Sequence, residues 1–310
     1  MKGLKGPDGG GDTLDARGGL RGGPLTSEAP IGAAIMLRFP GSYLDFVEAA
    51  IEEELAWVEF KYDPPFLFTD HLAALDIARL RRLGEKHGLG YSMHAPYYEV
   101  NIGSLNEGIR RASLGETIKA IDLAAELGCA YLTIHGGQLS KNDVSETLLD
   151  MVRHNTIQSL KAIYAHCASR GIVPCLENRN PSSGTNRKIG TTPAELAQLC
   201  EAVGPEVGIT LDLGHANLSA MNALDFVEAV GPDRIKLMHL HDNRGEADDH
   251  AAIGSGAIDY SAFVARYVSG GWSFPLAIEC KRFEDTLVSV RTLRRMLSEA
   301  RAAMAGFAVP

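Results

Sequence analysis

From Ile31 onward, short apolar runs alternate with longer segments whose apolar residues recur at helical spacing. Most of the short runs are apolar throughout, which is typical of parallel strands buried on both faces. The predicted strands span residues 33–38, 57–62, 90–94, 130–135, 173–177, 207–212, 235–241 and 276–280. The predicted helices span residues 43–55, 71–87, 106–127, 142–170, 192–203, 223–230, 260–269 and 286–304. Residues that favour helix ends support several boundaries: Thr192 precedes Pro193, and Gly128 and Gly171 each follow a helix.

This alternation predicts an α/β protein with a closed (β/α)8 TIM barrel, and an open doubly wound sheet is the alternative. No Gly-x-Gly-x-x-Gly motif follows the first strand. The chain has 310 residues, which fits one barrel of about 250 residues and a tail. Residues 1–29 are rich in glycine and poor in apolar groups, which predicts a disordered N-terminal extension. Residues 30–305 are therefore predicted to form a single barrel domain.

Charge and cysteine content restrict the class of protein. The formal net charge is −9, which argues against a generally basic surface for nucleic acid. The five cysteines are scattered and lack a Cys-x-x-Cys spacing, so we expect reduced thiols and a cytoplasmic location. No stretch is long and apolar enough to predict a membrane span.

Six successive predicted strands end in histidine or carboxylate residues. In TIM barrels the active site lies at these carboxyl ends. The residues at or just after them are His94, His135, Glu177, Asp212, His215, His239, His241, Asp248, His250 and Glu279. Packed together without a cation, such groups would repel one another or lack hydrogen-bond partners. The sequence therefore predicts a metal site at this end of the barrel.

The types of ligand narrow the choice of metal. Mixed imidazole and carboxylate ligands suit zinc, manganese, cobalt or iron better than calcium or magnesium. Glu177 and Glu279 lie on the fifth and eighth strands, so we expect them to approach a shared ion from opposite sides. His239 and His241 are two residues apart and share a strand face. Either could be the ligand, with the other touching substrate or filling the barrel.

Taken together, these residues resemble the xylose isomerase-like and endonuclease IV-like barrel superfamily over about residues 31–300. Endonuclease IV enzymes bind three zinc ions through nine ligands. The resemblance implies that the same nine ligands here are His94, His135, Glu177, Asp212, His215, His239, Asp248, His250 and Glu279. The most specific motifs are Asp-x-x-His at 212–215 and Asp-x-His at 248–250, before a Gly-Ser-Gly turn.

The sugar isomerases and epimerases of the same superfamily use a smaller site. They hold one metal through four residues, which the resemblance assigns to Glu177, Asp212, His239 and Glu279. In the epimerases the two glutamates exchange protons with the substrate, and the residue matching His215 contacts substrate oxygens. Ser183 stands where some of those epimerases have a further glutamate, which counts against ketohexose-type epimerisation.

Several further residues bear on the substrate. The DNA enzymes carry a basic, aromatic loop after the second strand, whereas residues 59–65 here are similar to the sugar-binding relatives. Tyr97 and Tyr98 stand where the DNA enzymes place an aromatic wedge; covering a sugar ring and packing the loop are alternative roles. Lys281 and Arg282 follow the last strand and are candidates for a phosphate contact, or for a solvated loop.

The sequence thus favours a sugar or sugar-phosphate isomerase or epimerase, in which Glu177 and Glu279 move protons beside a divalent metal. The alternative is an endonuclease IV-type phosphodiesterase acting on DNA or another phosphoester. A non-catalytic binding barrel is disfavoured by the complete ligand set. We expect one to three ions, zinc first and manganese or cobalt as alternatives. A small sugar or sugar phosphate is the expected partner, with DNA only under the alternative; the oligomeric state is left open.

Overall fold

The computed structural model describes residues 29–36, 38–64, 75–140, 145–181, 185–219 and 221–307. Apart from residue 29, the predicted N-terminal extension lies outside the described residues. The same holds for Leu37 of the first predicted strand, for residues 71–74 and 142–144 of two predicted helices, and for Ser183.

The described residues form ten strands and nine α-helices. The strands are β1 (Ile31–Ala34), β2 (Trp57–Lys61), β3 (Gly90–His94), β4 (Tyr131–His135), β5 (Gln138–Ser140), β6 (Val173–Glu177), β7 (Asn186–Lys188), β8 (Gly208–Asp212), β9 (Ile235–Leu240) and β10 (Leu276–Ile278). The helices are α1 (Tyr43–Glu52), α2 (Ile77–His87), α3 (Glu107–Leu127), α4 (Glu146–Arg170), α5 (Pro193–Val203), α6 (Leu213–Asn217), α7 (Ala223–Val230), α8 (Tyr260–Ser269) and α9 (Phe283–Phe307).

Eight of the strands close into a barrel in the order β1-β10-β9-β8-β6-β4-β3-β2. Every neighbouring pair is parallel, so the predicted (β/α)8 barrel is confirmed and the open sheet is wrong. Parallel pairing brings all carboxyl ends to one mouth. Partners in register at that mouth are Lys61 with His94, His135 with Glu177, and Asp212 with His239.

The sequence predictions miss some boundaries and one small sheet. The first strand is Ile31–Ala34 rather than residues 33–38, and the last helix begins three residues earlier than predicted, at Phe283. β5 and β7, which were not predicted, form a two-stranded antiparallel sheet, and they follow β4 and β6 at the mouth of the barrel. Strands of three residues are too short to show a hydrophobic period, which explains why the pattern does not reveal them.

The interior of the barrel differs between its two ends. At the end opposite the mouth, Trp57, Leu237 and Ala277 form a buried apolar cluster, and the Trp57 indole donates to the hydroxyl of Ser92 at 2.9 Å. All five cysteines are buried, free thiols. Within the described residues, no helix combines the length and apolar character needed to cross a bilayer.

Candidate metal centre

Histidine and carboxylate side chains from six strands and their following loops converge at the mouth of the barrel. They form three groups, in each of which the candidate ligand atoms lie within 4.8 Å of one another. The inner group is Glu177, Asp212, His239 and Glu279; the first rim group is His94, His135 and Glu177; the second rim group is His215, His241, Asp248 and His250. The structure thus brings together all nine residues that the resemblance implied, adds His241, and places Glu177 in two groups.

The inner group is buried and centred on His239. Its Nδ1 atom lies 3.1 Å from Glu177 Oε1 and 3.0 Å from Glu279 Oε2. Asp212 is the last residue of β8 and the N-cap of α6, and its carboxylate accepts from the backbone N–H of His215 at 2.7 Å. A single residue therefore ends the strand, caps the helix and directs a carboxylate into the group.

The first rim group uses the second oxygen of Glu177. His135 Nε2 lies 2.7 Å and His94 Nε2 3.3 Å from Glu177 Oε2. Burial and then the nearby Arg179 guanidinium lower the pKa of His135 to about 3. The imidazole is therefore neutral, which is the form that binds metals. Glu177 extends one oxygen to each of two groups.

The second rim group is built around Asp248. His215 Nε2 lies 3.1 Å from one of its carboxylate oxygens and His250 Nε2 3.4 Å from the other. The ring of His241 stacks on that of His250 with centroids 3.9 Å apart, and His241 Nε2 lies 3.1 Å from Asp212 Oδ1. Of the two histidines that the sequence left open, His239 thus joins the inner group and His241 the second rim group.

Hydrogen bonds to the backbone orient three of the histidines. Nδ1 of His94, His215 and His250 lies 2.7, 2.9 and 2.8 Å from a backbone carbonyl oxygen. A carbonyl only accepts, so each Nδ1 carries a hydrogen, and Nε2 is the nitrogen left for a metal ion. Those Nε2 atoms face the carboxylates of their groups. Histidines that bind metals are commonly oriented in this way.

The turn after β8 depends on Asn178 and Gly214. The Asn178 amide accepts from the Asp212 backbone N–H at 2.6 Å and donates to the Asp212 carbonyl at 2.9 Å. A Cβ atom on Gly214 would lie 2.0 Å from the ring of His241. The glycine of the Asp-x-Gly-His motif therefore makes room for a histidine of the second rim group.

Asp242 holds the loop that supplies Asp248 and His250. Its carboxylate accepts from the backbone N–H groups of Gly254 and Gly256, each at 2.9 Å. His250 has a φ of 48°, a left-handed conformation that is costly for a residue with a side chain. Such strain persists where the surrounding contacts determine the backbone, and it concentrates at functional sites.

Histidines and carboxylates act as counter-charges for one another in this centre. Burial alone would raise the pKa of Glu177, but two neighbouring histidines outweigh burial and hold the pKa well below its usual range. Burial would lower the pKa of His215, but the carboxylates of Asp212 and Asp248 raise it to about 10. Divalent cations bound to these atoms would take over the role of the histidine protons.

Two buried charged residues of β2 lie against the inner group and were missed in the sequence analysis. Lys61 Nζ donates to Glu279 Oε1, and Glu59 Oε2 lies 2.5 Å from His239 Nε2. Since Nε2 of His239 faces Glu59, its Nδ1 is left for the inner group. A signal was present: Glu59 and Lys61 are two apart in an otherwise apolar strand, and so share one face.

The residues predicted to contact substrate lie around this centre. Tyr97 is 5.2 Å from His94 between ring centroids and 4.4 Å from Tyr98, whose exposed fraction is 47%. Lys281 is exposed, and its Nζ donates to the backbone carbonyl of Asp248 at 3.0 Å, so it helps to hold the loop that carries Asp248 and His250. Contact of Tyr97, Tyr98, His215, His241 and Lys281 with a substrate stays a prediction.

The arrangement fits divalent metal ions. The donors are imidazole nitrogens and carboxylate oxygens in three compact groups, the ligand types that zinc, manganese and cobalt accept. His241 Nδ1 and Asp248 Oδ1 are buried and have no hydrogen-bond partner among the described residues. Buried polar atoms are rarely left without a partner, and contacts among the described residues do not supply one for either of these two atoms.

Comparisons with known proteins agree with the fold. The sequence matches the family of xylose isomerase-like TIM barrels over residues 47–300. It is 31% identical to the uncharacterized protein MJ1311 of Methanocaldococcus jannaschii over 235 residues, which are 74% of this chain and 77% of that protein. It is 26% identical to a probable endonuclease 4 of Haloarcula marismortui over 229 residues, 67% of this chain and 78% of that protein.

Solved structures give a complementary result. The crystal structure of a D-tagatose 3-epimerase-like protein matches with a TM-score of 0.77 and 26% identity, covering 89% of this chain and 99% of that one. The structure of an L-ribulose 3-epimerase matches with a TM-score of 0.73 at 17% identity, covering 91% and 99%, and therefore shows the fold alone. On the extent of the family match and the closed parallel barrel, this chain belongs to the family of xylose isomerase-like TIM barrels.

Proposed function

We propose that this chain is a metal-dependent phosphoester hydrolase whose centre holds one divalent ion in each of its three ligand groups, with zinc favoured by the ligands. The observation that supports this most is the position of Glu177, which belongs to two groups and extends a different oxygen to each. A shared carboxylate of this kind suits a centre of several ions, and such centres stabilise both the attacking and the leaving oxygen of a phosphoester.

The surroundings of the two glutamates favour a ligand role over proton transfer. A glutamate that removes a proton from a sugar carbon needs an oxygen within reach of the substrate. Both oxygens of Glu177 face histidines, at 3.1 Å for His239 and 2.7 Å for His135. Glu279 directs Oε2 to His239 at 3.0 Å, and its Oε1 accepts from Lys61.

In such a reaction, different residues of this chain would hold the ions, balance charge and shield the substrate. Bound divalent ions would supply Lewis-acid stabilisation of the negative charge on the phosphoester. Glu177 and Asp212 would hold the groups in a fixed spacing because both end buried strands. Lys61 balances the charge of Glu279. Tyr97, beside His94, would shield one side of the bound substrate from water.

A small phosphoester is a better candidate substrate than a long DNA duplex. Similarity to proteins named probable endonuclease 4 supports phosphoester chemistry and DNA as one substrate class. However, the net charge of −9 disfavours the sequence-independent attraction on which most binding to the DNA backbone depends. Similarity to sugar epimerases favours a sugar-sized ligand.

Metal content and two assays test the proposal. We expect protein purified without added metal to contain about three ions per chain, one for each group. We also expect it to hydrolyse small phosphomonoesters or phosphodiesters. Chelation should abolish hydrolysis and zinc should restore it. One ion per chain, together with epimerisation of ketoses and no hydrolysis of small phosphoesters or abasic DNA, would overturn the proposal.

The second candidate is a sugar or sugar-phosphate isomerase or epimerase with Glu177 and Glu279 at a single divalent metal. The inner group supports it, because these glutamates, Asp212 and His239 form one buried set within 4.8 Å. The similarity to a D-tagatose 3-epimerase-like protein also supports it. Interconversion of ketoses or their phosphates by protein with only the inner group loaded is the result that would favour this candidate.

A further inference from the structure

Lys188 reaches the second rim group through one side-chain amide. Its Nζ donates to Asn180 Oδ1, and Asn180 Nδ2 lies 3.3 Å from Asp248 Oδ2. Lys188 lies on β7 and pairs with Gln138 of β5, so the small sheet carries this cation to the mouth of the barrel. Arg179 donates to the side chain of Gln138, the residue with which Lys188 pairs, so the two cations are close. In agreement with this geometry, burial and then Arg179 lower the pKa of Lys188.

Arg179 places a second cation beside the first rim group. It lies two residues beyond Glu177, and its guanidinium donates to the carbonyl of Gly136 at 3.0 Å and to Gln138 Oε1 at 3.3 Å. These hydrogen bonds fix the guanidinium against the small sheet and use two of its five N–H donors. Gly136 directly follows His135, so the guanidinium lies beside a residue of the first rim group.

Two neighbouring cations in a partly buried place repel each other, and the protein as a whole is acidic. They are therefore not part of a general basic surface. A phosphate dianion matches such a pair, because a guanidinium donates through a planar fork and an ammonium supplies a compact charge. A neutral sugar hydroxyl would not compensate for this repulsion.

We propose that Arg179 and Lys188 form an anion subsite that binds the phosphate group of a small sugar phosphate, between the two rim groups. The subsite deepens the proposed function, on which it rests, by naming the substrate class. It differs from the phosphate contact that the sequence suggested for Lys281 and Arg282, which follow β10 and are both exposed.

Binding of inorganic phosphate to the zinc-loaded protein tests this directly, by calorimetry at low ionic strength. We expect Lys188→Met to weaken phosphate binding about tenfold, since it removes one charged hydrogen-bond donor. Arg187→Met is the matched control, because Arg187 is on the same strand but on its opposite face. We expect it to change the affinity less than about twofold. Zinc content and the unfolding midpoint should be unchanged in both variants.

Two further ligands separate the possible sources of phosphate. Ribose 5-phosphate should bind more tightly than inorganic phosphate and lose about the same factor in Lys188→Met. A DNA duplex with an abasic site should bind weakly and equally to both proteins. A duplex that binds more tightly than the sugar phosphate, with the Lys188→Met loss confined to it, would overturn the sugar-phosphate assignment.

A second variant addresses Arg179 without removing its charge. Arg179→Lys should weaken phosphate binding while zinc content is retained, because a lysine cannot reproduce the fork. Equal phosphate affinity in wild type and Lys188→Met would overturn the subsite, as would equal losses in Lys188→Met and Arg187→Met. Phosphate binding needs no turnover. An intact Lys188 effect in a protein that hydrolyses no phosphoester would therefore refute only the proposed function.

Discussion

The inner group shares Glu177 with the first rim group, but the inner group and the two rim groups are held in different ways. The four inner residues are all buried, and three of them are strand residues, from β6, β8 and β9. The rim includes loop residues such as Asp248 and His250, and the side chains of His135 and Asp248 are 19% and 27% exposed. Barrel strands fix most of the inner group and all of the first rim group, whereas the second rim group depends on segments after the strands, which vary more readily. The second rim group is therefore the part of this centre that changes in the loops would alter most.

The largest effect should come from the residue that belongs to both regions. We expect Glu177→Gln to lower turnover by on the order of 10³-fold, because the amide loses the charge that both groups use. It should also lower the metal content of two groups at once. Phosphoester hydrolysis and elemental analysis measure these effects, and thermal unfolding checks that the fold persists. Glu201→Gln, at an exposed site, is the control. Undiminished turnover in Glu177→Gln would refute the site assignment.

Removing only the rim ligands separates the two candidate functions. The double variant His94→Ala/His135→Ala should lose about one ion per chain and about 10²-fold in hydrolysis, while the inner group keeps its metal. Under the isomerase candidate, ketose turnover would survive. His87→Ala/His154→Ala changes two exposed histidines and should do neither. An unchanged metal content in the rim variant would contradict the first rim group.

Lys61 tests whether the inner group needs a fixed cation beneath it. Lys61→Met leaves the buried Glu279 carboxylate without its partner, and breaking a buried pair costs about 3–5 kcal/mol. The loss should be largest after chelation, since bound metal would compensate for the missing charge. Urea unfolding with and without metal measures it. Lys119→Met breaks an exposed pair, with side chains 64% and 45% exposed, and should cost far less stability.

Equal losses of stability for Lys61→Met and Lys119→Met would mean that the Lys61–Glu279 pair contributes no more than a surface pair. A loss for Lys61→Met that is the same with and without metal would contradict a charge-balancing role. In either case the inner group would be held by its strands alone.

The sequence was sufficient to predict the barrel and the end at which its histidine and carboxylate side chains meet, because parallel strands buried on both faces have a distinct pattern and their carboxyl ends lie together. It was not sufficient for contacts made across the barrel. Lys61 is 218 residues from Glu279, and Glu59 is 180 residues from His239. A charged residue inside an apolar strand can be recognised in a sequence, but its partner depends on how strands distant in the sequence pair around the barrel.

The same limit applies to Arg179 and Lys188. Nothing in the sequence places Lys188 on a small sheet that Arg179 also contacts, since β5 and β7 have three residues each and are separated in the chain by the whole of α4. The sequence therefore predicted the candidate metal ligands of the two rim groups, but it did not predict the two cations beside them.

The smallest effect should come from Glu59, which contacts the inner group only through His239. In the wild type, His239 Nε2 lies 2.5 Å from the Glu59 carboxylate. Glu59→Gln keeps an oxygen that can accept from this nitrogen, but it removes the negative charge that makes the imidazole a better metal ligand. Partners of this kind typically contribute about 10–100-fold to metal affinity. We expect the low end, about tenfold, in a competition titration with a chelator. Rim occupancy should be unchanged, because Glu59 contacts no rim histidine in the described residues. A loss of all three ions together would show instead that the inner and rim groups bind metal as one cooperative unit.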